Sequence, residues 1–411
     1  MKKILRDNKG SISALVVISV LLYSIVLTTA FMQASSKRKM QMESQILAKE
    51  AYEKQLDNLD EIRDEINGGA GGGGAGTKVP AEATAETAPY FPDNTFTKKE
   101  GTIDTGLVIK DASGNEYVWV VVPRTTAVYK TTGLGKTTFT DADYTSIEND
   151  LKDYTSTYVT TSGYSDTWYA DNQNEGWLSE TEYKTLKNSM LKSVYENGGF
   201  YVGRYEAGIG TNRTSNTDQN SDYKYTMPST TPVSRADAYP YTWVTRTQAQ
   251  NLASNVNSGT KTSSLMFGVQ WDLVLAFMHN KGNIADSTLT SNSTTIGNYK
   301  NNLWTIKNAN AKYSTDYGST FTACPNPFKK DADSKILLTT GADSSFSVQN
   351  IYDIAGNVYE WTLEKTDRDS LPCAQRGGDF YDTGSGSPAA KRNNFYTFST
   401  NYSIGFRVTL W

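Results

Sequence analysis

The sequence predicts an α+β protein in two parts: a long N-terminal transmembrane and stalk helix, then one large domain of short strands with a few helices. Three observations carry this. An uncharged apolar run lies near the start, a glycine run interrupts the chain near residue 70, and from about residue 95 short apolar segments alternate with Gly-, Ser-, Thr- and Asn-rich connections. Composition sets the outer limits. Aromatic residues make up 12% of the 411, too many for a disordered chain. The net charge of −4 leaves no basic surplus, so nucleic acid is not an expected partner. A single histidine, His279, disfavours His-rich metal sites and Ser-His-Asp chemistry. Two cysteines, Cys324 and Cys373, exclude a zinc cluster and a disulfide-dense scaffold.

The first element is a basic leader, residues 1–10, with Lys2, Lys3, Arg6 and Lys9. From Ser11 to Ser36 there is no charge, and Ala14 to Met32 forms an apolar run of 19 residues. That length crosses a hydrocarbon core of about 30 Å, and a lone helix satisfies its own backbone there. The four basic residues ahead of it favour an N-inside orientation, although Lys37, Arg38 and Lys39 follow the span. A cleaved secretory signal would use a shorter apolar core. Gln33 to Ile66 contains no glycine or proline, and Met42, Ile46, Leu56, Leu59, Ile62 and Ile66 recur at three- and four-residue steps among charges. This is an amphipathic continuation, giving a helix over 11–67 that would reach about 84 Å at ~1.5 Å per residue. Its apolar stripe needs a partner, so self-assembly of the stalk is expected.

The leader ending in Lys9-Gly10, the apolar helix and its amphipathic extension together resemble a type IV pilin. The resemblance implies cleavage after Gly10 and packing of the helix into a filament. It departs from the family at the fifth mature position, where pilins usually carry glutamate and this chain has Leu15. A plain single-span anchor remains the alternative. Residues 68–94, beginning with the GGAGGGGAG run, read as a flexible tether.

In the domain that follows, 95–411, the stretch Gly106 to Pro123 reads as strand, Ser-Gly-Asn turn, strand. Gly199 to Ala207 reads as another strand. Thr245 to Asn255 and Gln270 to His279 read as helices, with Trp271, Val274, Leu275 and Met278 on one face. The irregular order of elements argues against a doubly wound parallel sheet.

Three C-terminal segments stand in order: Asn350–Trp361 (NIYDIAGNVYEW), Arg376-Gly377-Gly378, and Gly405-Phe406-Arg407-Val408. With the Gly199–Ala207 strand and the Pro232–Ala253 stretch ahead of them, they resemble the formylglycine-generating-enzyme, or sulfatase-modifying factor, family, a subgroup of the C-type lectin fold. The oxidases of that family carry a cysteine pair soon after Arg-Gly-Gly to bind copper and the substrate thiol. Here that place reads Asp379-Phe380-Tyr381-Asp382, and no cysteine follows Cys373. Copper is therefore not expected, and neither is catalysis. The resemblance also implies a structural calcium ion held by Asp353 and Glu360 side chains and Gly356 and Val358 carbonyls, although Glu360 and Trp361 read equally as buried structural residues. Cys324 and Cys373 form either one disulfide or two buried thiols.

Residues 379–403 hold the candidate site. Six of these 25 are Phe or Tyr, and most others are Asn, Ser, Thr, Gly or Asp without helical or strand periodicity. Tyrosine gives contact area at low entropy cost, and small polar residues give adaptable hydrogen bonds. The expected ligand contacts are Asp379, Phe380, Tyr381, Asp382, Gly386, Ser387, Asn393, Asn394, Phe395, Tyr396, Phe398, Asn401, Tyr402 and Ser403. Arg376, Gly377, Gly378, Gly405, Phe406 and Arg407 read as scaffold, with arginine–carboxylate pairs pinning the strands. Arg-Gly-Gly, a Tyr/Asn/Ser-rich run and Ile-Gly-Phe-Arg near the end resemble the variable proteins of diversity-generating retroelements. Those proteins hold a hypervariable ligand surface on a C-type lectin fold. Between Asp379 and Ser403 only Lys391 lies outside the residues reachable from adenine-substituted AAY codons. The expected function is non-catalytic binding of an external ligand, a protein or else a glycan, at the cell surface. A minor pilin with a structural head and a formylglycine-generating oxidase are the alternatives.

Overall fold

Glu116–Val121 is buried at every position, so it belongs in the middle of a sheet covered on both faces. A computed structural model describes residues 95–217, 225–256, 259 and 261–411, and places this strand in a six-stranded antiparallel sheet. The order is Thr97–Glu100, Val108–Lys110, Glu116–Val121, Gly199–Gly203, Thr409–Leu410, Ser263–Ser264. The expected strand-turn-strand and the Gly199 strand are its centre, and the end of the chain returns to pair with Gly199–Gly203. Leader, stalk helix and tether fall in residues 1–94, outside the described residues. Among the described residues no helix is long and apolar enough to cross a membrane.

Helix Gly268–Gly282 packs on this sheet and is buried from Gly268 through Met278. Buried positions run all the way round it, so the expected single face is a helix enclosed on all sides. Helix Arg246–Ser254 starts at Thr245, whose hydroxyl and Gln248 form a reciprocal capping box. Two helices went unread in the sequence, Asp141–Tyr154 and Glu180–Asn197. Each begins with the same device, Thr140 with Asp143 and Ser179 with Glu182. Such a cap contributes about 1 kcal/mol.

A second sheet carries the C-terminal motifs. Its order is Arg392–Phe395, Cys373–Arg376, Tyr359–Lys365, Ile404–Phe406, with the last pair parallel and the others antiparallel. Between the sheets in sequence lies a small lobe. Lys312–Ser314 pairs with Thr322–Ala323 and Leu337–Leu338, and Phe328–Lys329 pairs with Thr305–Ile306. The lobe has its own apolar cluster around Trp304, Ile306, Cys324 and Phe346. Cys324 sits there, Cys373 sits in the main core, and both are free thiols. Of the two states the sequence left open, the structure holds the reduced one.

Candidate ligand-binding face

The segment 379–403 starts from a fixed point. Arg376 is fully buried and pairs with Asp272 at 2.8 Å and Glu364 at 3.3 Å. Gly377 and Gly378 follow at φ +91° and +80°, where a Cβ on Gly378 would lie 2.5 Å from the Ser387 carbonyl oxygen. Only glycine turns the chain so sharply here. Asp379 then closes the turn: its carboxylate accepts the Tyr381 and Asp382 N–H groups at 2.9 and 3.1 Å. Burial, with the Asp382 charge beside it, pushes the Asp379 carboxyl up to about 7.

The fourteen expected contacts divide. Asp379, Phe380, Ser387 and Ser403 are buried and belong to the scaffold, which corrects their assignment. Phe380 inserts between Leu337 and Val358, so an apolar ring followed the apolar neighbours that distant elements supply. Ser387 lies 2.9 Å from the Tyr359 hydroxyl, and the Ser403 carbonyl accepts the Tyr359 N–H at 2.8 Å. Tyr381, Asp382, Asn393, Asn394, Phe395, Asn401 and Tyr402 are half-buried, and Gly386, Tyr396 and Phe398 are exposed. Tyr396 and Phe398 stack at 4.9 Å and remain 46% and 44% exposed, so two large rings stand in water together. Asn393 and Asn394 lie on the outer strand of the second sheet. Phe395 packs edge-on against Trp361, and Tyr359 donates to the Asp382 carboxylate at 2.7 Å.

Residues outside the segment join it. Tyr317 stacks on Tyr381 at 5.6 Å with the hydroxyls 2.7 Å apart, and meets Tyr402 at 5.0 Å. Lys335 holds its ammonium 3.7 Å from the centre of the Tyr381 ring. The Tyr317 hydroxyl and Lys335 together draw the Tyr381 phenol below its ordinary value. Trp243 contacts Tyr402, and its N–H donates to the Asn401 carbonyl at 3.0 Å. These partners are illegible in the sequence, because Tyr317 and Trp243 sit in irregular chain at φ +63° and +60°.

The two carboxylates expected to hold calcium have partners within the fold. Both Glu360 oxygens accept from the Arg407 guanidinium, at 2.6 to 3.1 Å. That guanidinium stands where an ion would have to neutralise the carboxylate. Asp353 turns one oxygen to the Gly341 N–H at 2.8 Å, and burial pushes its carboxyl up to about 7. Among the described residues no group of three or more His, Cys, Asp or Glu is placed to hold a metal.

Both thiols are enclosed. Burial raises Cys373 above its ordinary value, and its sulfur lies 3.0 Å from the Tyr169 hydroxyl. Burial pushes Cys324 up to about 11.

The sulfatase-modifying factor enzyme 1-like domain matches residues 156–410, well over half of the chain. No curated protein matches the sequence. Among solved structures, PvdO from Pseudomonas aeruginosa is similar at 15% identity and TM-score 0.29, over 52% of this chain and 81% of that one. CarF is similar at 12% identity and TM-score 0.25, over 78% and 94%. Variable protein 1 of Treponema denticola is similar at 12% identity and TM-score 0.21, over 82% and 98%. These structural likenesses are distant.

Proposed function

We propose that this chain, which belongs to the sulfatase-modifying factor enzyme 1-like domain family, is a surface-displayed recognition protein that makes and breaks no covalent bond. Its C-terminal segment binds an external partner, a protein in this reading. One observation carries the proposal: within a single segment, Asp379, Phe380, Ser387 and Ser403 are locked inward while Tyr396 and Phe398 stack outward in solvent. An aromatic pair held in water on a rigid base is what a binding anchor requires. The apolar run of 11–36 would tether the chain to a membrane, and the stalk helix would self-assemble, as a pilus or a simpler bundle. Diversification by a retroelement belongs to the same reading, on the composition of residues 379–403.

The test uses the full chain against an array of extracellular proteins. A partner found there should lose at least tenfold in affinity when Tyr396 and Phe398 become alanine together, with an unchanged melting temperature. Retained affinity in that variant, or oxygen uptake with a cysteine-bearing peptide, overturns the proposal. A neighbouring reverse-transcriptase gene and a near-copy of the segment's coding sequence, differing only at adenines, would establish the diversification.

A further inference from the structure

Beside Tyr381 lies a cavity of about 500 Å³, and most of its wall comes from the small lobe. That volume falls within the usual range for small-ligand sites, roughly 300–1,000 Å³. Two ring pairs shape it. Tyr313 and Phe328 lie 4.3 Å apart, and Tyr317 and Tyr381 stack at 5.6 Å. The rim carries Lys329 and Lys335 against Asp331 and Asp333, so its charges cancel.

Tyr317 is the informative residue. It is 48% exposed and sits at φ +63°, a left-handed conformation that disfavours a bulky side chain. A tight turn enforces it: the Ser314 hydroxyl donates to Asp316 at 2.7 Å and accepts the Gly318 N–H at 2.9 Å, and Asp316 accepts the Thr320 N–H at 2.9 Å. The molecule thus holds a strained backbone in order to leave an aromatic ring in water. Strain of this kind is retained where it positions a functional group.

The lining selects the ligand's chemistry. An anion would face Asp331 and Asp333, and a cation would face Lys329 and Lys335. A hydrocarbon would strip water from the tyrosine hydroxyls and the charged rim without replacing it. A neutral ring with one C–H face and a fringe of hydroxyls satisfies both the aromatic walls and the mixed donors and acceptors. We infer that this cavity is a saccharide subsite that takes a neutral pyranose, carried by the framework beside the variable segment. The inference rests on the reading of this face as the ligand-binding face, and it adds a sugar to a partner recognised by the segment.

The test presents the full chain to an array of neutral and sialylated glycans and titrates the best neutral hit by calorimetry. At least one neutral glycan should bind. Tyr317→Ala should weaken it tenfold or more, and Leu134→Ala, at an exposed apolar residue outside the cavity, should leave it unchanged. Tyr317→Gly separates binding from folding, because it relieves the backbone while removing the ring: affinity should fall while the melting temperature holds or rises. Absence of any neutral hit, binding of sialylated glycans alone, or indifference to Tyr317→Ala overturns the inference. Binding of proteins alone that is lost in Tyr317→Ala would show that the cavity seats a protein side chain, and also overturns it. The protein-array test reads Tyr396 and Phe398, which do not line the cavity, so the two readings fail separately.

Discussion

Phe380 and Tyr396 look alike in the sequence and have opposite fates, one 1% exposed and the other 46%. Composition marked the whole segment as unusual, but burial depends on Leu337 and Val358, which lie far off in the chain. Nothing local distinguishes the two rings. Asp379 shows the same dependence in electrostatic form. Its carboxyl is pushed up to about 7 against an ordinary value of 3.8, because burial disfavours the charged form. The folded state therefore binds a proton that the unfolded chain releases. Stability from this group is fully present below about 4, falls as pH rises, and levels off above about 7. Asp379→Asn removes the titration while keeping an acceptor for the Tyr381 and Asp382 N–H groups. Melting temperatures of the two proteins should coincide near pH 4 and separate with rising pH. At pH 8 the variant should be higher by roughly 10 °C, from about 4 kcal/mol for the raised carboxyl at roughly 2–4 °C per kcal/mol for a domain of this size. A difference that does not grow with pH would refute the assignment.

The outer strand Arg392–Phe395 presents Asn393 and Asn394, and its fixity comes from underneath. Arg392 meets Glu364 at 2.8 Å and Asp272 at 2.5 Å, while Arg376 meets the same two carboxylates. All four are buried, so helix Gly268–Gly282 is tied to three strands of the second sheet by a closed ring of charge. Removing one member strands the others without water. Glu364→Ala should therefore cost about 3–5 kcal/mol in urea unfolding. Amide exchange should also accelerate over residues 392–395 more than in the six-stranded sheet; uniform acceleration would mean that the ring stabilises the whole molecule without fixing the outer strand. The sequence showed part of this device. The buried Arg376 and Arg407 each found the carboxylate partner expected of a scaffold arginine. The partner Asp272 was illegible, because it lies 104 positions from Arg376 on a helix whose pattern there is otherwise apolar.

Over the whole molecule, the legible parts are those with local signals: the turn at Ser113–Asn115 with its flanking strands, and the helices opened by Thr245 and filled by Trp271. Helices Asp141–Tyr154 and Glu180–Asn197 carried capping boxes that the reading passed over, since their apolar faces are sparse. The small lobe had no periodic signal at all; its strands are two or three residues long and make sense only against one another. That separation into clusters decides the state of the cysteines. Cys324 packs with Trp304 in the lobe and Cys373 with Tyr169 in the main core, so each sulfur is enclosed by different residues. Burial pushes Cys324 up to about 11, which at pH 8 leaves roughly one thiol in a thousand as thiolate. Cys373 is 0% exposed and closed to reagent. An aromatic disulfide reagent at pH 8 should therefore release almost no colour from the folded full chain and two equivalents after guanidinium unfolding. Dithiothreitol should leave the melting temperature unchanged. Zero equivalents after unfolding, with a melting temperature that falls on reduction, would mean that lobe and core are covalently joined and that the two clusters do not hold together by packing alone.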